Sequence, residues 1–206
     1  VYFSMDTAFP DPFTGFANSA TAINHGFVGG DVLLSPIPGA PPVLWAPAPV
    51  LGLDLVGPPD SDDLDALILW ENGSGPFEPS LAPFDWNSGA TDMVLFSVRR
   101  GSAVIGMPDS IFGVPIAEGD LLTTPLANSP ISPFPGLFIP AEALGLQTQR
   151  SGGLENDDLD AADATNGMPV LDCNQNGIED ALDIFFGAAT DMNVDGVPDS
   201  CQSAVF

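Results

Sequence analysis

The chain has 206 residues, with 28 acidic side chains against three arginines and no lysine, so its formal net charge is -25. Nucleic acids and anionic membrane surfaces would repel such a protein, and we exclude both as partners. The hydrophobic fraction of 45% nonetheless predicts a folded chain, because disorder requires low hydrophobicity together with high charge. The absence of lysine also excludes Schiff-base and phosphate-loop chemistry.

Short strand signals follow one another along the chain up to residue 139. Each is rich in Val, Ile, Phe or Leu and is bounded by Gly, Pro, Asn or Asp. The 22 glycines and 22 prolines leave little room for long helices. We predict a mainly β fold of the sandwich or barrel-like type. The predicted strands cover residues 1–5, 28–34, 43–45, 66–70, 93–98, 102–105, 111–114, 121–124 and 137–139.

Two stretches, residues 32–53 and 121–141, carry no charge and are long enough for a membrane-spanning helix. Prolines interrupt both stretches, which is incompatible with an ordinary spanning helix. We therefore predict no membrane span and expect extended segments that lie over an apolar surface. The sequence starts at Val1 without a leader, and we expect that any secretion signal has been removed.

A five-residue acidic segment occurs twice and divides the chain. Residues 62–66 return letter for letter as residues 157–161, at an offset of 95 (157 minus 62). Three landmarks precede both copies in the same order: residues 3–4 match 96–97, residues 31–36 match 120–125, and residues 51–53 match 144–146. We predict a tandem duplication. It consists of a β-rich repeat 1 over residues 1–75, a linker over 76–90, a β-rich repeat 2 over 91–166 and a small C-terminal module over 167–206. The sequence leaves open whether each repeat forms its own core or both share one.

The residues after position 171 have the layout of a calcium loop of the EF-hand type. Oxygen-bearing side chains occupy loop positions 1, 3, 5, 9 and 12, and Gly177 takes the sharp bend at position 6. A hard cation prefers about six to eight oxygen ligands, and position 7 supplies its backbone carbonyl. The predicted ligands of the first ion are Asp172, Asn174, Asn176, Ile178, Asp180 and Asp183.

A second loop of the same kind begins 19 residues later (191 minus 172). Its predicted ligands are Asp191, Asn193, Asp195, Val197 and Asp199. Position 12 is Gln202 in place of a carboxylate, so we expect a weaker site or a ligand from elsewhere. The alternative for both loops is a pair of Asn/Asp-rich turns without an ion. Residues 172–199 hold seven acids and no basic residue, and these would repel one another without a cation, so we predict two calcium ions.

The second loop contains a sequence motif that resembles a known family, Asp195-Gly196-Val197-Pro198-Asp199-Ser200-Cys201. Together the two loops resemble the dockerin-like and thrombospondin type 3-like calcium repeats of secreted bacterial proteins. The resemblance is confined to the tail and implies calcium binding outside the cell. The Asp at position 9 of the first loop favours the thrombospondin-like form.

The two cysteines of the chain, Cys173 and Cys201, flank the paired loops. A disulfide between them would close a loop of 28 positions (201 minus 173) and stabilise the fold by roughly 3 to 4 kcal/mol. Two free buried thiols are the alternative. A disulfide indicates an oxidising, extracellular compartment. Between the loops, residues 181–186 predict a short helix with an apolar face that could dock on the second repeat, and Gly187 is expected to end it.

The duplicated acidic segment is a second candidate for metal binding. Carboxylates are concentrated in both copies, and the possible secondary ligands are Asp62, Asp63, Asp65, Asp157, Asp158 and Asp160. The alternative is structural, because Asp side chains commonly hydrogen-bond the backbone of a loop before a strand begins. The sole histidine, His25, is predicted to be a surface or turn residue.

These features predict a secreted, non-enzymatic, calcium-binding structural protein. Tandem repeats, apolar Pro-rich segments and paired calcium loops suit a subunit of an extracellular or cell-surface assembly such as a filament, layer or matrix, held by self-association. The alternative is a calcium-dependent binding or adhesion module that docks an extracellular protein in the dockerin manner or recognises a glycan. A third hypothesis is an enzyme with a glycosidase-type carboxylate pair. Nothing in the sequence singles out such a pair, so we predict that the protein is not an enzyme.

Overall fold

The structure is a computed structural model that describes residues 1–6, 20–82, 84–163, 173–174, 176, 180–192 and 197–202, with the side chain of residue 181 left aside. Seven strands form in this part of the chain: β1 (Tyr2–Phe3), β2 (Val32–Leu34), β3 (Val43–Ala46), β4 (Leu64–Trp70), β5 (Met93–Val98), β6 (Leu121–Thr123) and β7 (Gly136–Ile139). The described helices are α1 (Ala20–His25) and α2 (Asp180–Phe185). Within the described ranges, short 3-10 helices cover Ala48–Leu51, Asp85–Ser88, Ala141–Leu144 and Asp199–Cys201.

The strands form two antiparallel sheets, with the orders β1-β2-β3 and β4-β5-β6-β7. The predicted mainly β class is confirmed. No helix in the described part of the chain has the length and apolar character that crossing a membrane requires.

Two predicted strands, residues 102–105 and 111–114, were wrong, because both segments form turns. Their backbone donors bond to carboxylates or to carbonyls of turns and loops instead of to a neighbouring strand. The Val104 N–H donates to Asp62 Oδ1 at 2.8 Å. The carboxylate of the buried Asp109 accepts the N–H groups of Ile111, Phe112 and Val114 at 2.8 to 2.9 Å. Apolar side chains at these positions fill the core without joining a sheet.

The two copies repeat the same local structure. In each copy, one Asp carboxylate accepts hydrogen bonds from the turn before a strand (β2 or β6) and from the first residue of a 3-10 helix. Asp31 accepts the N–H of Val28 at 3.0 Å and that of Ala48 at 2.9 Å. Asp120, 89 positions later (120 minus 31), accepts the N–H of Ala117 at 2.8 Å and that of Ala141 at 2.9 Å. The matching bonds support the duplication inferred from the sequence.

The two copies share one core, which answers the question that the sequence left open. β4 from the first copy pairs with β5 from the second, with Leu67 opposite Phe96 and Trp70 opposite Met93. The larger cluster of buried apolar side chains combines both copies. Its fully buried members include Val32, Leu51 and Leu53 from the first copy and Val94, Phe96, Leu122 and Leu137 from the second.

Residues 76–90, predicted to be a linker, pack against the four-stranded sheet. Phe84 and Trp86 are buried in a second apolar cluster, where both rings contact Phe138 of β7 at centroid distances of 5.6 and 5.9 Å. This stretch is therefore a packed part of the fold, while the exact repeat boundaries stay a prediction.

α2 attaches the tail to the second copy. It packs against β7 and the 3-10 helix Ala141–Leu144, and Leu182 belongs to the larger core cluster. Just after the helix, the Phe186 ring stacks on Phe112 at a centroid distance of 4.6 Å. The left-handed Gly187, with φ at 72°, follows the last helical turn as its position predicted.

Candidate functional site

A disulfide joins Cys173 to Cys201, as predicted, and brings their Cα atoms to 5.9 Å. It links the beginning of the first predicted calcium loop to the end of the second. The two sulfurs and Asp180 Oδ1 lie close together, but sulfurs in a disulfide carry no thiolate charge to offer a metal ion. The carboxylate of Asp180 is buried and accepts the backbone N–H of Cys173 at 3.1 Å. The disulfide end and the helix end of the first loop are thus held together.

Three predicted ligands of the first loop converge on one point. The side-chain amides of Asn174 and Asn176 donate to Asp183 Oδ2 at 2.6 and 2.8 Å. The side-chain oxygen Oδ1 of Asn174 accepts the backbone N–H of Asn176 at 2.9 Å, which closes a tight turn between them. Loop positions 3, 5 and 12 therefore meet, as a calcium loop requires.

The Asp183 carboxylate is the best candidate for a cation ligand in this loop. Its side chain is 2% exposed, and its Oδ1 atom is buried and accepts no hydrogen bond from the described residues. A buried carboxylate oxygen without a donor is unfavourable unless a cation compensates it. Asp183 offers carboxylate oxygens, whereas Asn174 and Asn176 turn their amide nitrogens toward it. Rotation of these two amides would present their oxygens instead, and with that change the three side chains fit calcium.

The second loop is described at its two ends. Asp199 accepts the Met192 N–H at 3.2 Å and donates its own N–H to the Thr190 carbonyl at 2.7 Å, which brings position 9 beside the start of the loop at Asp191. Gln202 at position 12 donates its side-chain amide to the carbonyl of Val197 at 3.2 Å. That carbonyl is the predicted ligand at position 7. The predicted ligands Asp172, Ile178, Asn193 and Asp195 lie outside the described residues.

The six carboxylates of the duplicated acidic segments separate into three groups. Asp62 and Asp157, at matching positions, shape loops: Asp62 Oδ2 accepts the Asp54 N–H at 2.7 Å, and Asp157 Oδ2 accepts the Gln147 N–H at 2.8 Å. Burial raises the pKa of Asp62. For this pair the geometry favours the structural alternative.

Asp63 lies under the N-terminal segment. It is buried, its Oδ2 is 3.9 Å from Arg99 Nη1, and the same guanidinium forms an ion pair with Asp6. Burial, together with the neighbouring Asp6 and Asp60, raises the pKa of Asp63 to about 8.

Asp65, Asp158 and Asp160 come together from the two acidic segments. One carboxylate oxygen of each lies within 4.8 Å of the others, in an open cleft that Asp6, Arg99 and Arg100 also line. Burial and the charges of Asp158 and Asp160 raise the pKa of Asp65. Burial also raises the pKa of Asp158, and Arg100 partly opposes this. We call this group the inter-repeat acid cluster.

The ionic network around Arg150 was not predicted from the sequence. Arg150 donates to both carboxylate oxygens of the fully buried Asp120, at 2.6 and 2.9 Å, and to Glu142 Oε2 at 2.7 Å. Burial raises the pKa of Glu142, but hydrogen bonds from Arg150 and Thr148 outweigh it and leave the pKa lowered. The one available signal was that Arg150 is the sole basic residue after residue 100.

Comparisons of the chain with protein-family models, curated proteins and solved structures each found no match.

Proposed function

We propose that this chain is a secreted, non-enzymatic structural protein whose C-terminal module binds calcium and thereby fastens the tail to the β core. The single observation that carries the proposal is the buried Asp183 carboxylate, which meets Asn174 and Asn176 at the predicted loop positions and has an oxygen without a described donor. The first loop of the tail is the proposed principal site, and the second loop is a weaker one.

Calcium binding is linked to the core through neighbouring residues of α2. Leu182 is packed in the larger core cluster, and the next residue, Asp183, supplies its carboxylate to the loop. An ion that holds Asp183 therefore also holds Leu182 in place. Because calcium binds the folded loop better than the unfolded chain, it stabilises the fold by mass action.

The Cys173–Cys201 disulfide supports an extracellular location, since disulfides persist in oxidising compartments. Calcium outside cells is abundant enough to fill sites with dissociation constants of roughly 0.1 to 1 mM. We therefore place the protein outside the cell or on its surface.

Self-association is the second part of the proposal, and β3 is the observation that favours it. β3 lies at the edge of the three-stranded sheet, and its residues Val43 and Leu44 are 47% and 46% exposed. An edge strand with exposed apolar side chains is a template for pairing with another strand. Light scattering and electron microscopy with calcium and with a chelator test this part. We expect calcium-dependent assemblies, and a monomer under both conditions would refute self-association.

Calorimetric titration of the chelator-treated protein with calcium chloride tests the calcium module. The wild type is expected to bind calcium with release of heat and to gain thermal stability, and Asp183→Asn is expected to lose the tighter tail site. Glu155→Gln is the matched control, because it removes one exposed negative charge far from the tail loops in sequence. Equal titrations of wild type and Asp183→Asn would contradict the proposed site.

A further inference from the structure

Asp63 is a buried carboxyl group that no donor of the described residues reaches. Its side chain is 1% exposed, and neither Oδ1 nor Oδ2 accepts a hydrogen bond there. The Gly29 backbone packs directly on it, since a Cβ at Gly29 would lie 1.6 Å from Asp63 Oδ1. That side of the carboxyl group therefore has no space for water or a metal ion. A buried carboxylate without donors is unfavourable, so a carboxyl group in this position is more stable when it carries a proton.

The charged groups around Asp63 also favour its neutral form. Among the described residues, Asp6 faces it from the N-terminal segment, Asp60 from the turn before β4, and Arg99 from the end of β5. The turn before β2 contributes Gly29, which has no charge. Burial, Asp6 and Asp60 together raise the pKa of Asp63 to about 8, and Arg99 opposes them.

Arg99 is paired mainly with Asp6. Its Nη1 atom forms a close ion pair with Asp6 Oδ2 and lies 3.9 Å from Asp63 Oδ2, which is longer than a hydrogen bond. Two carboxyl groups beside the same nitrogen atom do not both ionise easily, and the protonated one can donate its O–H to the other. Asp6 is 37% exposed and has the guanidinium, so Asp63 is the group that holds the proton.

Asp6 belongs to the segment that carries β1, three positions after the end of that strand (6 minus 3). β1 has two residues and lies at the edge of its sheet. Beside it, the Ser35 N–H donates to the Val1 carbonyl at 2.9 Å, and the Tyr2 ring lies 4.7 Å from the ring of Trp45. A strand with so few contacts opens easily, so the contact at Asp6 is a substantial part of what holds it.

We propose that a proton shared between Asp63 and Asp6 holds the N-terminal strand against the β4–β5 pair, and that this contact opens as the pH rises above neutral. Loss of the proton to the buffer leaves two carboxylates beside one guanidinium. Asp63 is fixed at the start of β4, so Asp6 is the group that moves into solvent with its strand. Its release leaves β2 as the edge of the three-stranded sheet. This device does not depend on the proposed calcium sites.

The sign of the pH dependence follows from the raised pKa of Asp63. In the unfolded chain the group loses its proton near its ordinary pKa of 3.8, whereas the fold keeps the proton up to about pH 8. The stabilisation is therefore complete below the unfolded-state pKa and is lost as the pH rises through the folded-state pKa. Within this window, the unfolding equilibrium constant should rise through this group by up to about tenfold per pH unit.

Asp63→Asn is the principal test, because asparagine copies the neutral carboxyl group and keeps a donor toward Asp6 but cannot ionise. Urea unfolding of the full chain is measured across this pH range with calcium chloride held constant. Relative to the variant, the unfolding equilibrium constant of the wild type should rise by at least about tenfold between weakly acidic and weakly alkaline pH. Infrared difference spectra of wild type minus variant should show the C=O band of a neutral carboxylic acid at neutral pH, and the band should disappear at alkaline pH.

The sole tyrosine of the chain, Tyr2, lies in β1 and reports the release of the strand. With ¹³C-labelled tyrosine, its NMR signals should lose the ring-current shift from Trp45 over the pH range in which the infrared band disappears. Burial raises the pKa of the Tyr2 phenol above 10, so its own ionisation does not interfere. Asp63→Asn should keep the shift. The matched control is Asp158→Asn, the same change 95 positions later (158 minus 63), which should leave the Tyr2 transition unchanged.

Asp6→Asn provides a second variant at a partly exposed side chain. It removes the charge next to Asp63 and leaves Arg99 for that carboxylate, so the infrared transition should move to lower pH. The proposal is overturned if wild type and Asp63→Asn have parallel pH dependences of stability, or if the neutral-acid band is absent. A Tyr2 transition that persists in Asp63→Asn, or a band that disappears without any change at Tyr2, also overturns it.

Discussion

Gly52 and Gly145 provide a matched pair of substitutions inside one molecule. Both follow the 3-10 helix of their copy, at an offset of 93 (145 minus 52), and both have left-handed backbones with φ of 82° and 80°. They differ in their surroundings. A Cβ on Gly52 would lie 2.7 Å from the backbone nitrogen of Pro135 in the other copy, whereas a Cβ on Gly145 would meet no atom within 4 Å.

The structure sets the expected magnitudes. Alanine in a left-handed conformation costs about 1–2 kcal/mol, and both substitutions carry this cost. Gly52→Ala adds overpacking against backbone that cannot move aside cheaply, which costs about 1–3 kcal/mol more. We therefore expect Gly145→Ala to lose about 1–2 kcal/mol of unfolding free energy and Gly52→Ala to lose about 2–5 kcal/mol.

Urea unfolding followed by tryptophan fluorescence, in the presence of calcium, measures both losses. The extra cost at Gly52 corresponds to a melting temperature lower than that of Gly145→Ala by roughly 2–12 °C. Equal losses for the two variants would refute the close contact between the copies at this point, and with it the shared core.

Arg150→Met should lower the unfolding free energy at pH 7 by about 3–5 kcal/mol, measured by urea unfolding, because it leaves the buried Asp120 carboxylate without its cation. The loss should shrink as pH falls from 7 to 4. In the wild type, the lowered pKa of Glu142 gives a stabilisation that is present above the unfolded-state pKa and is lost on acidification. In the variant, acidification lets the buried Asp120 carboxylate take up a proton, which removes its uncompensated charge. A loss that does not depend on pH would contradict this assignment. Leu182→Ala should lower the unfolding free energy by about 2–5 kcal/mol and weaken calcium binding in calorimetry, because it detaches α2 from the core. Unchanged calcium affinity would contradict the linkage between calcium binding and the packing of α2. Asp183→Asn should lower the melting temperature in calcium and change it little in chelator, and an equal drop under both conditions would indicate a purely structural role.

Local patterns were sufficient where the structure depends on neighbouring residues. The strand signal at residues 93–98 matches β5, and the helix signal between the loops matches α2 with Gly187 after it. The spacing of Asn174, Asn176 and Asp183 along the chain was enough to predict that these side chains surround one point. The same patterns failed at Val104 and residues 111–114, because carboxylates from other segments and turns took backbone donors that a strand would have used.

The sequence by itself determined the mainly β class and the disulfide partners, and it predicted the duplication and the loop pattern of the tail. Each of these properties depends on the periodicity, spacing or number of residues along the chain. The tertiary structure decided that the copies share a core, that Arg150 neutralises Asp120, and that Asp65 meets Asp158 and Asp160. These contacts join residues 30 or more positions apart, and they depend on which strand edges pair. The pairing of β4 with β5 is a property of the packed fold, where burial of both copies in one core outweighs the repulsion between the acids it brings together.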